Sequence, residues 1–166
     1  MNAAAHRPLP GRRPARPALR ALAIALWLGL PAAHSPAGAA EFRSVTSAAA
    51  ILYDAPSVQA RKLYIAPRSM PLEVLSVVSQ WVKVREMEGA LGWVERAELG
   101  GQRTVVARVP FATVRVAGQD SAEIVIQAER GVALELTDPV PVNGWVKVRH
   151  RDGSSGFVRA AEVWGL

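Results

Sequence analysis

Residues 81–99 read WVKVREMEGALGWVERAEL, and residues 145–163 read WVKVRHRDGSSGFVRAAEV. The two stretches align without a gap at a constant offset of 64 residues. A repeat of this period indicates two copies of one supersecondary unit in tandem. We therefore expect two small domains that share a fold. Because a unit of this size has little room for an elaborate active site, the repeat favours a binding function.

Each copy of the repeat carries a strand–turn–strand pattern. Residues 81–85 and 145–149 alternate two valines with two basic residues, and alternation with a period of two predicts a half-buried strand. The pairs Glu88-Gly89 and Asp152-Gly153 then interrupt the pattern. An acidic residue followed by glycine between two strand patterns is a hairpin signal, because both positions tolerate positive φ.

The repeat extends upstream in weaker form. Residues 63–74, LYIAPRSMPLEV, align with residues 125–136, VIQAERGVALEL, at an offset of 62. The change of offset places two extra residues in the second copy, which we expect in a surface loop near residues 138–141. Gly100-Gly101-Gln102 is the natural linker. No segment after residue 41 has a sustained 3.6-residue period, so the class is all-β, with domains at 41–101 and 102–166.

Both units resemble the bacterial SH3-like (SH3b) domain family. In the first unit the resemblance is carried by Leu52 with Ala55-Pro56-Ser57, Leu72–Leu75, Trp81–Arg85, Gly89 and Gly92-Trp93-Val94. In the second unit it is carried by Trp145–Arg149, Gly153 and Gly156-Phe157-Val158. Ala55 stands where the family usually has glycine, and the second unit lacks the Pro-Ser step. The resemblance implies two tandem SH3-like small five-stranded β-barrels that bind a cell-wall peptide or glycan, or an envelope protein.

Residues 1–40 have the organisation of a secretory signal peptide. They contain five arginines and no acidic residue, then an apolar run from Ala21 to Leu30, then the small residues Ala37-Gly38-Ala39-Ala40. We expect cleavage after Ala39 or Ala40 and export to the periplasm, or secretion. The apolar run is too short to span a bilayer. An uncleaved anchor and export signalled by Arg12-Arg13 are the alternatives.

Export changes the charge of the protein. The chain has 20 basic and 14 acidic residues, a net charge of +6. Five of the basic residues lie within residues 1–40, and all 14 acidic residues lie at or after Glu41, so the processed chain has 15 basic against 14 acidic residues, a net charge of +1. We therefore expect no nucleic-acid partner and no stable membrane span after cleavage. The oligomeric state is not determined by the sequence.

Several kinds of chemistry are disfavoured by composition. The chain has no cysteine, which excludes disulfides, thiolate metal sites and cysteine nucleophiles. No phosphate-binding or dinucleotide-binding glycine pattern is present. We expect no cofactor, no metal, no catalytic residues and no enzymatic activity.

Aromatic side chains are the candidates for ligand contact. Trp81 and Trp145 begin equivalent strands on the face opposite the buried valines, where an indole anchors a sugar or a peptide. The further candidates are Tyr53, Tyr64, Trp93 and Phe157. For each, packing inside a small barrel is the alternative role. Trp164 is expected to fix the last strand.

His150 and the hairpin carboxylates are weaker candidates. His150 lies between two arginines and its repeat counterpart is Glu86, so we expect an exposed turn residue rather than a catalytic base. Glu86, Glu88, Glu95 and Glu98 lie on one hairpin and its exit. A glycosidase needs two carboxyls across a sugar cleft, and these do not form such a pair.

Two functions of different class remain open. The first is an exported, non-enzymatic binding module of the bacterial cell envelope. The second is a structural or assembly subunit that binds only another protein and has no affinity for the wall. Substitution of Trp81 or Trp145 by alanine separates the two functions. If the tryptophan anchors a ligand, its loss abolishes binding without unfolding the domain. If the tryptophan is a core residue, its loss lowers the stability of the domain instead.

Overall fold

The computed structural model describes residues 40–166, which belong to one compact unit. The predicted signal peptide, apart from Ala40, lies outside the described residues. Within them, two antiparallel sheets of seven strands follow each other along the chain. No helix among these residues is long and apolar enough to cross a membrane.

The first sheet contains the strands of the first repeat. These are β1 (Glu41–Val45), β2 (Ala49–Tyr53), β3 (Lys62–Pro67), β4 (Pro71–Val78), β5 (Trp81–Arg85), β6 (Leu91–Glu95) and β7 (Leu99–Gly100), with a 3₁₀ turn at Arg96–Glu98. The strand order is β3-β2-β6-β5-β4-β1-β7.

The second sheet repeats this arrangement. Its strands are β8 (Thr104–Ala107), β9 (Phe111–Arg115), β10 (Ile124–Glu129), β11 (Ala133–Val142), β12 (Trp145–Arg149), β13 (Ser155–Arg159) and β14 (Val163–Trp164), with a 3₁₀ turn at Ala160–Glu162. Their order is β10-β9-β13-β12-β11-β8-β14, which matches the first sheet strand for strand. We call the two sheets with their loops the first and second units.

The all-β class and the tandem repeat are confirmed. Each sheet has seven strands rather than the expected five, because short segments such as the two-residue β7 also pair in the ladder. Among the pairings of residues 40–166, none joins the end strands β3 and β7, or β10 and β14. Each strand order is therefore open.

Each unit has its own apolar core. Leu52, Leu72, Val82, Val84 and Val94 are completely or almost completely buried in the first. The second core holds the equivalent residues Val114, Leu134, Val146, Val148 and Val158. The valine alternation in the sequence thus records which face of β5 and β12 packs inward.

The predicted hairpin turns are present in both units. Gly89 has φ +92° and Gly153 has φ +95°, a region in which a residue with a Cβ is strained. Glu86 and His150 close these turns in the same way, with amide-to-carbonyl hydrogen bonds to Ala90 (3.0 Å) and Ser154 (2.7 Å). The repeat therefore preserves the backbone of the hairpin although the turn side chains differ.

The two extra residues of the second copy lie near residues 138–141, as expected, but within a strand. β11 has ten residues where β4 has eight, and its pairing with β12 is irregular between Asp138 and Val142. Residues 137–142 are exposed. An irregular pairing at the exposed end of the strand accommodates the insertion without disturbing the inward-facing side chains.

Buried contacts join the two units. Thr104 donates a hydrogen bond from Oγ1 to the Ser69 carbonyl at 2.7 Å, and its oxygen lies 2.6 Å from Ser44 Oγ. Phe42 meets Trp164 edge to face with ring centroids 5.0 Å apart. Trp164 therefore packs against the first unit as well as ending the second sheet.

Candidate ligand-binding site

Three of the predicted aromatic residues meet on the outer face of the first unit. Trp81 at the start of β5 stacks edge to face on Tyr53 at the end of β2, with ring centroids 5.5 Å apart. Trp93 in β6 is the strand partner of Tyr53. Tyr53 is buried, whereas Trp81 and Trp93 are half-buried. We call Tyr53, Trp81 and Trp93 the aromatic face.

Charged side chains border the aromatic face. Lys83 pairs with Trp93 across the strands, and its Nζ lies 5.9 Å from the indole centroid. Glu95 pairs with Trp81 in the same way. Alternation places these residues on the outer side, because Val82, Val84 and Val94 point into the core. The face thus combines flat apolar rings with one cation and one carboxylate.

The equivalent surface of the second unit is covered. Trp145 is only 6% exposed. The guanidinium of Arg159 lies 4.8 Å from its ring centroid, within cation–π range. Arg159 is held there by Asp120, to which its Nε donates a hydrogen bond at 3.0 Å. From the other side, Gly118 approaches the ring so closely that an added Cβ would lie 3.1 Å from Trp145 Cγ.

Around its tryptophan, the second unit has different residues from those around Trp81 of the first. Structurally, Arg115 of β9 takes the place of Tyr53, and its Nη1 donates to the Ala122 carbonyl at 2.6 Å. Arg159 takes the place of Glu95, and Asp120 that of Val58. Phe157 occupies the position of Trp93 and is half-buried. The two units therefore present different surfaces on one backbone.

Tyr64 does not join the other aromatic candidates. It packs against the first core beside Leu52, its strand partner. Its hydroxyl is buried and has no hydrogen-bond partner. Burial, and then the charge of Glu86, raises the pKa of Tyr64 to about 12. Tyr64 stays a predicted ligand residue, with a position that favours packing.

His150 differs from the exposed turn residue that the sequence predicts. Its side chain is 21% exposed and its Nδ1 is buried, 3.0 Å from Asp152 Oδ2. His150 lines a cleft together with the Pro67–Met70 turn of the first unit. The backbone amide of Ser154, and then His150, lower the pKa of Asp152 to about 2.

No group of three histidine, aspartate or glutamate side chains is placed to hold a metal ion within residues 40–166.

Sequence reasoning singled out the tryptophans but missed the role of Arg159 and Asp120. The signal was the exchange of Glu95 for Arg159 between repeats, which reverses the charge beside an otherwise equivalent tryptophan.

A comparison with family models decides the relationship of the two units. The model described as "Bacterial SH3 domain" matches residues 46–101 and again residues 108–165. This chain belongs to the bacterial SH3 domain family. The predicted resemblance of both units to SH3b domains is thus confirmed. The matches comprise SH3 domains alone, and no catalytic domain is identified.

Solved structures give weaker likenesses to these tandem SH3 domains. NlpC1 of Trichomonas vaginalis is 15% identical with a TM-score of 0.36, over 78% of this chain and 47% of that one. An NlpC/P60 family protein of Bacillus cereus is 14% identical with a TM-score of 0.35, over 75% and 56%. The chain thus spans about half the length of these proteins. A comparison with curated proteins finds no match.

Proposed function

We propose that this chain is an exported, non-enzymatic binding module of the bacterial cell envelope that recognises wall peptide or glycan through the aromatic face of its first SH3 domain. Bacterial SH3 domains are generally cell-wall binding modules, and both described domains belong to that family. The observation that carries the proposal is the contrast between the half-buried Trp81 and the covered Trp145.

The chemistry of the aromatic face suits a ligand with both apolar and polar surfaces. Indole rings bury a large area against sugar rings or aliphatic chains and lose little conformational entropy. Lys83 and Glu95 beside the two tryptophans offer a donor and an acceptor to hydroxyls, amides or termini of the ligand. A few polar groups around an apolar platform are the usual composition of a binding site.

The second SH3 domain has a supporting role in this proposal. Arg159 stacks on the Trp145 ring and is hydrogen-bonded to Asp120. Little of the indole surface is therefore exposed to a ligand. A barrel of about 60 residues buries only about 60% of its unfolded surface and is marginally stable alone. The contacts between Thr104, Ser44 and Ser69 give the first domain a packing partner.

Exchange of the covering residues between the domains tests the proposal. Val58→Asp with Glu95→Arg places the second domain's ion pair over Trp81. We expect this double variant to lose co-sedimentation with purified wall sacculi, because Trp81 is then covered as Trp145 is. Trp81→Ala should lose co-sedimentation too, by at least about tenfold in affinity.

Matched controls separate the possible outcomes. Arg96→Gln changes an exposed residue near the same face and should leave binding unchanged. Undiminished binding by the folded Val58→Asp/Glu95→Arg variant would contradict the proposed site. If the wild-type chain binds no sacculi, the alternative of an assembly subunit with a protein partner replaces the wall-binding function. Hydrolysis of sacculi by the purified chain would contradict the non-enzymatic role.

A further inference from the structure

A cleft lies between the two SH3 domains, away from the aromatic face. Its volume is about 430 Å³, within the range of small-ligand pockets. One wall is the turn Pro67–Met70 of the first domain; the other is the equivalent turn Gly131–Ala133 with His150 and Arg151 of the second. Corresponding turns of the two repeats thus face each other across it.

The same repeat position holds an arginine in both domains, Arg68 within the first turn and Arg130 immediately before the second, and only one of the two is neutralised by an ion pair. Arg130 of the second domain pairs with Glu88, in the hairpin of the first, at 2.5 Å. The repeat counterpart of Arg130 is Arg68, and that of Glu88 is Asp152. If the contact between the domains followed the repeat symmetry, Arg68 of the first domain would form the equivalent ion pair with Asp152 of the second.

That second pair does not form. Asp152 turns back on its own hairpin, where it lies 3.0 Å from His150 Nδ1 and accepts the Ser154 amide at 2.8 Å. Within residues 40–166, neither Arg68 nor its neighbour across the cleft, Arg151, has a carboxylate within ion-pair distance. Arg149, in an adjoining depression, is 3.8 Å from Glu135.

We propose that this cleft binds the carboxylate of a short peptide segment between Arg68 and Arg151. By analogy with the Arg130–Glu88 pair, the partner that Arg68 lacks is a carboxylate. Guanidinium groups recognise carboxylates through two parallel hydrogen bonds. Pro67, Met70 and Val132 supply apolar contact for the aliphatic part of such a segment. The site is independent of the proposed function, because it shares no residue with the aromatic face.

A titration of the full chain with acetyl-Ala-Glu-Ala tests the proposal. Followed by amide chemical shifts in NMR, the peptide should move the signals of Ser69, Gly131 and Arg151. Arg68→Gln with Arg151→Gln should weaken binding at least about tenfold, since two charge-assisted contacts are lost. The peptide with its carboxylates converted to amides should bind as weakly to the wild-type chain.

Arg96→Gln is the matched control, because it removes an exposed charge outside the cleft and should leave the affinity within about twofold. Equal weakening by Arg96→Gln would show a general charge effect and overturn the proposal. So would shifts confined to the aromatic face, or no shifts at all. Inorganic phosphate is the comparison ligand: if phosphate binds and the peptide does not, the cleft is a phosphate site and the proposal fails. The peptide titration does not depend on binding to sacculi, so a failure of the proposed wall-binding function would leave the test of the cleft valid.

Discussion

Two tryptophans at equivalent positions have different surroundings, and their substitution should separate stability from binding. Trp145 is covered by Arg159 and Gly118, so Trp145→Ala should reduce the free energy of unfolding by about 3–5 kcal/mol. Trp81 is half-buried, so Trp81→Ala should cost less stability. Urea denaturation of both variants measures the difference. Equal costs would mean that the two indoles have the same structural role.

The buried hydroxyl of Tyr64 predicts a pH dependence of stability. Because its pKa is raised from 10.0 to about 12 in the folded chain, the folded state retains a proton that the unfolded state has released. The stabilisation is therefore complete below pH 10 and falls as the pH rises toward 12. Tyr64→Phe should abolish this part of the decrease in urea denaturation series. A decrease of unchanged size in that variant would assign it to other groups.

At the scale of the strand, the insertion in β11 predicts that deleting two residues changes the stability less than deleting one. Residues 139–141 stand where β4 has Val77 alone, since Asp138 and Val142 pair with β12 as Ser76 and Val78 pair with β5; Pro139 and Val140 are the two residues chosen for deletion. Deletion of both residues preserves the alternation of side chains and should change the free energy of unfolding by less than about 1 kcal/mol.

Deletion of Pro139 alone is the matched control. It removes an odd number of residues, so side chains between Asp138 and the Asn143-Gly144 turn exchange faces. We expect a clearly lower urea midpoint than for the double deletion. If the single deletion proves the milder change, the irregular pairing of β11 with β12 does not absorb the insertion as described.

The hairpins could be predicted from sequence because their determinants are local. The valines of β5 and β12 report one inward face, and Gly89 and Gly153 report positive φ within the same few residues. The cover over Trp145 could not be predicted in this way. It depends on contact between Arg159 and Asp120, which are 39 residues apart, and only the fold brings them together.

A small, buried polar network joins the two domains. Thr104 gives its proton to the Ser69 carbonyl, so the buried hydroxyl of Ser44 donates to Thr104. Thr104→Val should lower the free energy of unfolding by about 1–3 kcal/mol, because two polar groups are left unpaired. Ser44→Ala with Thr104→Val should cost less than the sum of the single changes. Additive costs in urea denaturation would contradict the network.

The position of His150 is also a property of the whole chain. Its neighbours in sequence predict an exposed turn, whereas in the fold its side chain is 21% exposed and lines a cleft with the turn Pro67–Met70 of the other domain. Arg68 and Arg151 line the same cleft. The repeat in the sequence predicts the two domains. The contacts between the domains could not be predicted in this way, because they do not follow the period of the repeat.

Binding of the purified full chain to isolated wall sacculi, at low and high salt, tests the central claim most directly. The wild-type chain and the variant Trp81→Ala, which keeps Trp145 in the second domain, are compared side by side, with folding verified by urea denaturation. We predict salt-tolerant binding of the wild-type chain that is lost in Trp81→Ala, since an aromatic contact is screened little by ions. Equal binding by a folded Trp81→Ala variant, or binding that disappears at high salt, would contradict recognition through the aromatic face.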